Sequence, residues 1–265
     1  MNTIQEQLLY TTLRIECLNA SNEVFSIGTG FLLKRPVGDD EYKIYLVSNK
    51  HVLAVADSNA ITFTNNIGGK PAFGEKVRIP ISDIKGSVVV HPDLNVDIAV
   101  IECTGLFIIF SNKFYFKLVD YDMLATFEEQ ELSVAQNVYF VGYPDNRYDV
   151  VNNLPLIRQG LIASHPKCDY NGLPEFIIDA QVFPGSSGSP VYIDLTYENI
   201  KNGQIVLGKR NIKLLGIVAQ TMIRNNQLQA VPVSSKYVTQ EVLGLGIVFK
   251  ATEIKKVIDN MPIDN

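Results

Sequence analysis

No stretch of this chain approaches 18 consecutive apolar residues, and its start, MNTIQEQLLYTTLRIECL, lacks the basic head, continuous apolar run and small-residue cleavage site of an export signal. That pattern predicts a soluble, cytoplasmic protein with no membrane partner. Basic segments interleaved with aromatics are missing too. The 23 Lys and Arg against 28 Asp and Glu leave a net charge of −5, so no nucleic-acid partner is expected. Cysteine is scarce: Cys17, Cys103 and Cys168 are an odd number at wide, unpatterned spacings, and the first two sit in apolar runs, which reads as reduced thiols. The histidines lie far apart and no Cys/His pair has zinc-like spacing, so neither a metal nor another cofactor is expected. Helical periods between strands are also lacking, which excludes a doubly wound α/β sheet.

What is present is a sequence of 265 residues, 46% hydrophobic, with no long low-complexity tract and no visible internal repeat, enough for one large domain or two small ones. Short β-rich runs dominate, at 8–18, 24–34, 42–49, 87–91, 97–103, 137–143, 175–182, 189–194, 213–221 and 245–250. PVGDD, NNIGG, PDN, NNLP, NGLP and NG supply turn chemistry between them. Many short strands at close spacing imply a barrel or sandwich. One helical stripe stands out at 251–261, where Ile254, Val257, Ile258 and Met261 repeat at i, i+3, i+4 and i+7, with Thr252 available as a cap. The segment 104–136 breaks the strand rhythm and reads as a connection between two β-halves, with a short helix around 120–128.

Three places combine a reactive side chain with a setting that would fix it. In YLVSNKHVL (45–53) an apolar strand ends and His51 follows; in HPDLNVDIAVIEC (91–103) Asp97 opens an apolar strand, where it needs a donor. In FPGSSGSPV (183–191) three serines crowd between glycines and prolines. Each alone has an ordinary structural explanation: a core histidine, a strand-start cap, a small-residue turn. Taken together they supply a base, an orienting carboxylate and a hydroxyl nucleophile, the set that acyl transfer requires. The backbone N–H groups of Gly185 and Ser187 could converge on a developing oxyanion.

Five blocks in order resemble the trypsin-like (chymotrypsin-fold) serine peptidases, and specifically the branch related to the Deg or high-temperature-requirement proteases of bacteria and organelles. They are GTGFLL (28–33), YLVSNKHV (45–52), DIAVIE (97–102), IDAQVFPGSSGSPVY (178–192) and LLGIVAQ (214–220). The resemblance implies an all-β fold of two packed six-stranded antiparallel β-barrels with the catalytic groups at their junction. On that layout residues 1–125 form the N-terminal barrel with His51 and Asp97, 126–250 the C-terminal barrel with Ser187 and the substrate pocket, and 251–265 a C-terminal α-helix and tail. His51 matches the general base, Asp97 the orienting carboxylate, Ser187 the nucleophile, and Gly185 with Ser187 the oxyanion-hole donors. Ser186 and Ser189 become loop residues. His91 and His165, each before a proline, read as exposed or structural, and Asp93 as a turn residue. The chain order His, Asp, Ser also excludes an α/β-hydrolase, whose G-x-S-x-G elbow would need glycine where Ser189 stands.

Departures from the family pattern carry expectations of their own. Ser186 occupies the position where many relatives place an aspartate that pairs with a newly cut N-terminus, so activation by that route is not expected. Ala219 replaces a serine that in many relatives bonds the triad carboxylate. No peptide-binding module of the Deg type is expected after residue 265. The primary pocket would involve Gln181, Ala219, Gln220 and Thr221, and the uncharged amide of Gln181 points to a small or apolar residue before the scissile bond, with Asp179 able to contribute if the loop is shifted. The expected function is a serine endopeptidase, a bacterial intracellular effector or processing enzyme acting on protein or peptide substrates and activated by a protein partner. A non-catalytic peptide-binding scaffold of the same fold and an esterase are the alternatives.

Overall fold

The computed structural model describes residues 3–81, 86–196, 200–201, 204–205, 210–229 and 236–262. Seven strands of the first half, Thr12–Leu18 (β1), Val24–Pro36 (β2), Tyr42–Ser48 (β3), Ser58–Ile67 (β4), Lys70–Ile81 (β5), Val88–Val90 (β6) and Ala99–Glu102 (β7), pair in the order β5-β4-β1-β2-β3-β7-β6. Phe114–Tyr115 (β8) adds to β4 and Val119–Asp120 (β9) to β2, giving nine strands. In the second half Asn137–Gly142 (β10), Leu156–Ile162 (β11), Glu175–Asp179 (β12) and Pro190–Asp194 (β13) precede a two-stranded ladder, Ile200–Lys201 (β14) with Gln204–Ile205 (β15). Ile212–Gln229 (β16) and Lys236–Lys250 (β17) then close a six-stranded antiparallel barrel, β10-β11-β12-β17-β16-β13.

Strands β2, β3 and β7 are apolar on both faces, and alternate residues of a strand face opposite sides. Phe31, Leu33, Tyr45, Val47 and Val100 join a core that continues through the closed barrel, while Leu32, Ile44, Leu46, Ala99 and Ile101 fill a second core inside the first half. The first sheet is therefore sandwiched between its own interior and the barrel, and its β3–β7 ladder is buried at the junction. Fully burying a side chain such as Phe31, at 0% exposure, stabilises by about 1.5–3 kcal/mol.

Among the described residues there are four short helices: Ile4–Leu8 (α1), Lys50–Leu53 (α2), Thr104–Phe110 (α3) and Ala251–Asp259 (α4). In α4 the expected stripe buries Ile254, Val257 and Ile258 against the larger core, and Met261 packs there from just beyond the helix end. The expected cap is corrected: Lys250 is the N-cap residue, and the Thr252 hydroxyl instead donates to Glu253 at 3.1 Å. Glu253 is itself buried. Its Oε2 lies 3.1 Å from His91 Nε2, and Lys256 Nζ donates to its Oε1 at 2.8 Å. The His91 backbone N–H donates to the Ile98 carbonyl at 2.9 Å, so α4 lies against the loop that carries Asp97.

Other expectations shift as well. The first half has nine strands where six were expected, and its edge strands β5 and β6 are not paired with each other among the described residues. The added hairpin β4–β5 turns at NNIGG, with Gly68 and Gly69 at φ +59° and +77°. Pro71 and Pro80 mask β5 as a strand, yet it lies at a sheet edge, where proline is tolerated. The 104–136 segment contains α3, β8 and β9 before any connection begins, and near 120–128 it has a single 3₁₀ turn, Tyr121–Met123. The NG turn at 202–203 lies outside the described residues. Among the described residues no helix is long and apolar enough to cross a membrane.

Candidate active site

His51 and Asp97 are brought together by one ladder. Strands β3 and β7 pair antiparallel with Ser48 opposite Ala99, so the chain leaving β3 and the chain entering β7 meet at the same end. After Ser48 the chain turns into α2, a helix the sequence did not signal because it has four residues and no side-chain cap bond. Asn49 Nδ2 donates to the Asp97 carbonyl at 2.6 Å, and the His51 backbone N–H donates to Asp97 Oδ1 at 3.0 Å. The ring follows: His51 Nδ1 lies 2.5 Å from Asp97 Oδ2. These are the donors that Asp97 requires. Burial by itself would raise the Asp97 carboxyl, but the hydrogen bond and charge of His51, its backbone N–H and the Lys50 charge outweigh burial and hold it below the usual carboxylate range. Asp93, the rival acid, accepts from the Asn95 backbone at 2.9 Å and stays in its own turn.

The loop that carries Ser187 comes from the second half and is bolted to the first by Thr29, a residue whose part in the site sequence reasoning missed. Thr29 is fully buried; its N–H donates to the Ser187 carbonyl at 2.8 Å and its hydroxyl to the Gly185 carbonyl at 2.8 Å. Its own carbonyl accepts from Ser48 Oγ at 2.6 Å. Small residues permit this approach. A Cβ on Gly188, at φ +85°, would meet the Thr29 carbonyl oxygen at 1.9 Å. The one available signal was the GTG triplet at 28–30.

Gly185 has φ +86°, and the Pro184 carbonyl before it accepts from the Asp145 N–H at 2.6 Å. In a trans peptide C=O and N–H point opposite ways, so pinning the Pro184 carbonyl to Asp145 turns the Gly185 N–H away from it. Among the described residues neither the Gly185 nor the Ser187 N–H meets an acceptor. His51, Gly185, Ser187, Pro184, Asp145 and Ile27 line one cleft of about 310 Å³. The Ser187 hydroxyl donates to the Ala219 carbonyl at 3.1 Å, and His51 Nε2 has no partner among the described residues.

The remaining candidates are placed as follows. Ser186 is buried with its hydroxyl unpartnered, as is that of Ser189. His91 is buried against Glu253 and His165 is exposed. Gln181 and Gln220 are exposed, Ala219 is buried, and the Thr221 hydroxyl donates to the Leu245 carbonyl at 3.4 Å; none of the four lines the cleft of His51 and Ser187. Cys17 is a buried free thiol pushed up to about 11 by burial, Cys103 is raised by burial and then by the Glu102 charge, and Cys168 is exposed and free. Among the described residues no group of His, Cys, Asp and Glu is arranged to hold a metal ion.

A carboxylate on one imidazole nitrogen, the other nitrogen open to a cleft shared with a serine, and two free N–H groups beside it define the class of serine hydrolases that work by acyl transfer. The chain belongs to the family of trypsin-like peptidase domains, whose model matches residues 28–197. Among solved structures it is similar in fold to the active form of the Rv3671c protease from M. tuberculosis, at 20% identity over 100% of this chain and 86% of that one, with a TM-score of 0.50. An inactive mutant form of Rv3671c (19% identity, 99% and 94% coverage, TM-score 0.47) also aligns. So does a serine endoprotease from Yersinia pestis (15% identity, 98% and 66% coverage, TM-score 0.49). No curated protein sequence matches the chain.

Proposed function

We propose that this chain is a serine endopeptidase in which Ser187 attacks the peptide carbonyl, His51 moves the proton and Asp97 holds the imidazole. The observation that carries this reading is the 2.5 Å contact between His51 Nδ1 and Asp97 Oδ2, made by a ring that faces the same cleft as Ser187. An ionised carboxylate only accepts, so Nδ1 carries the hydrogen and Nε2 is left as the base. For attack, the Ser187 hydroxyl leaves the Ala219 carbonyl and gives its proton to Nε2 as Oγ bonds to the substrate carbon. The Gly185 and Ser187 N–H groups bind the resulting oxyanion. His51 then protonates the leaving amine as the C–N bond breaks, and water, deprotonated by the same nitrogen, releases the acid from Ser187. The substrate is accordingly a protein or peptide. In the resting form the Ser187 hydroxyl is occupied by Ala219, which gives an activating protein partner a simple event to promote.

A fluorophosphonate probe tests the reading. The wild-type protein should be labelled at Ser187 and should cleave peptides, while Ser187→Ala and His51→Ala should each lose turnover by on the order of 10⁶-fold. No labelling with any candidate partner or substrate would leave a non-catalytic scaffold, and labelling that persists in Ser187→Ala would place the reactive nucleophile elsewhere. Labelling with ester but no peptide cleavage would make the protein an esterase.

A further inference from the structure

Arg158 is a cation the chemistry above does not use. It projects from β11 opposite Phe140 of β10, with its guanidinium 5.0 Å over the Phe140 ring and 5.2 Å over the Phe183 ring. Its Nη2 donates to the Gln181 carbonyl, and its Nη1 is buried with no partner. Burial alone lowers its pKa, with no carboxylate among the causes. Arg14, more deeply buried at 7% exposure, is by contrast paired with Glu16 and donates to Asn146 at 2.9 Å. Asp179, on the neighbouring strand β12, is exposed and forms no ion pair among the described residues. In a chain with 28 acidic residues, a half-buried guanidinium without one is a cost the fold could easily have avoided.

Its location explains what could offset that cost. Gln181 and Phe183, which Arg158 touches, belong to the segment that continues through Pro184 into Gly185 and Ser187. Arg158, Gln181 and Phe183 lie outside the cleft lined by His51 and Ser187, so a substrate side chain would reach the free edge of the guanidinium by lying along that segment beyond the cleft. Phe183, 36% exposed, is the cover that must yield. We propose that Arg158 is the specificity residue of this peptidase and selects substrates with a carboxylate side chain, glutamate or aspartate, immediately before the scissile bond. This rests on the peptidase reading above. It replaces the small or apolar preference expected from Gln181 alone, because the charge that decides the pocket comes from a strand 23 residues earlier. Two planar N–H edges suit a carboxylate, and its negative charge is stabilised most where water is excluded.

The test uses fluorogenic peptides that differ only before the scissile bond, with Glu, its uncharged isostere Gln, Leu or Lys, run on the full chain alongside fluorophosphonate labelling. Wild type should prefer Glu over Gln by about 10- to 100-fold in kcat/KM. Arg158→Gln should abolish that preference while Ser187 labelling persists, and Arg158→Lys should keep part of it. A labelled wild-type enzyme that cleaves Glu and Gln substrates equally overturns the proposal whether or not the variants fold. So does an Arg158→Gln variant that slows all four substrates alike, which would make Arg158 only a brace for the 181–183 segment. Absence of labelling and of cleavage in wild type overturns the peptidase reading together with this one.

Discussion

In the first half of the molecule the His51 ring and the Asp97 carboxylate already meet at 2.5 Å, whereas in the second half the Ser187 hydroxyl is bonded at 3.1 Å to the Ala219 carbonyl of its own barrel. The first contact belongs to the backbone as much as to the side chains. It follows from the β3–β7 register, from Asn49 holding the Asp97 carbonyl and from α4 holding His91. The second depends on one rotatable bond. A neutral hydrogen bond contributes about 1 kcal/mol net, so swinging Ser187 from Ala219 to His51 costs little and a bound substrate can offset it. The Gly185 N–H already faces away from the pinned Pro184 carbonyl, so on the proposed reading the oxyanion loop needs no comparable rearrangement. On the proposed reading, readiness is built into the sheet and only the hydroxyl waits.

Asp97→Asn attacks the built-in side of that comparison. The amide preserves shape and can still accept from the His51 backbone, but it no longer selects the tautomer with Nε2 free. Turnover should fall by about 10⁴-fold, the size of effect known for chymotrypsin-type triads, with the melting curve nearly unchanged. A loss below about 10-fold in kcat would mean that the short contact with His51 is structural and not part of proton transfer.

Gly188→Ala strikes the seam between the two halves. A Cβ would sit 1.9 Å from the Thr29 carbonyl oxygen and 2.4 Å from Ser48 Oγ, at a φ of +85° that alanine disfavours. Strain of about 1–2 kcal/mol and a clash costing about 1–3 kcal/mol combine, so urea unfolding should show a loss of about 2–5 kcal/mol. Activity should fall with it, since Thr29 can no longer hold the Gly185 and Ser187 carbonyls in place. If stability is unchanged, the two halves are not locked at this point.

Much of this was legible in the chain. The ten strand runs recur in the structure, the first only from Thr12 because Leu8 closes α1, and the apolar runs beside His51 and Asp97 are where the physics of burial writes a clear signal. The α4 stripe was legible for the same reason. Short helices were not: α2 spans four residues, and α3, TGLFIIF, leaves Ile108 and Ile109 exposed, so its apolar letters mislead. Arg158 was invisible, and Thr29 was hinted at only by its flanking glycines, because their partners, Gln181 and Gly185, are brought to them only by tertiary packing. The glycines beside Thr29 mark a close approach without saying to what, and an arginine in a strand has no local signature of such a role.

Ser186→Ala gives the smallest effect and sharpens the comparison most finely. The hydroxyl of Ser186 is buried at 1% exposure without a partner, next to Ser187, yet its backbone already serves the loop: its N–H donates to the Phe183 carbonyl at 3.0 Å and its carbonyl accepts from the Ser189 N–H at 3.0 Å. Removing an unsatisfied buried hydroxyl relieves desolvation and leaves a void smaller than a methyl group, so stability should stay level or rise by up to about 1 kcal/mol. Turnover should change less than about threefold, since the backbone bonds that shape the oxyanion loop remain. A large loss of turnover with stability intact would show that the hydroxyl finds a partner during the reaction. The second half would then have to rearrange around Ser186 as well as rotate Ser187, and the low cost argued for its activation would be wrong.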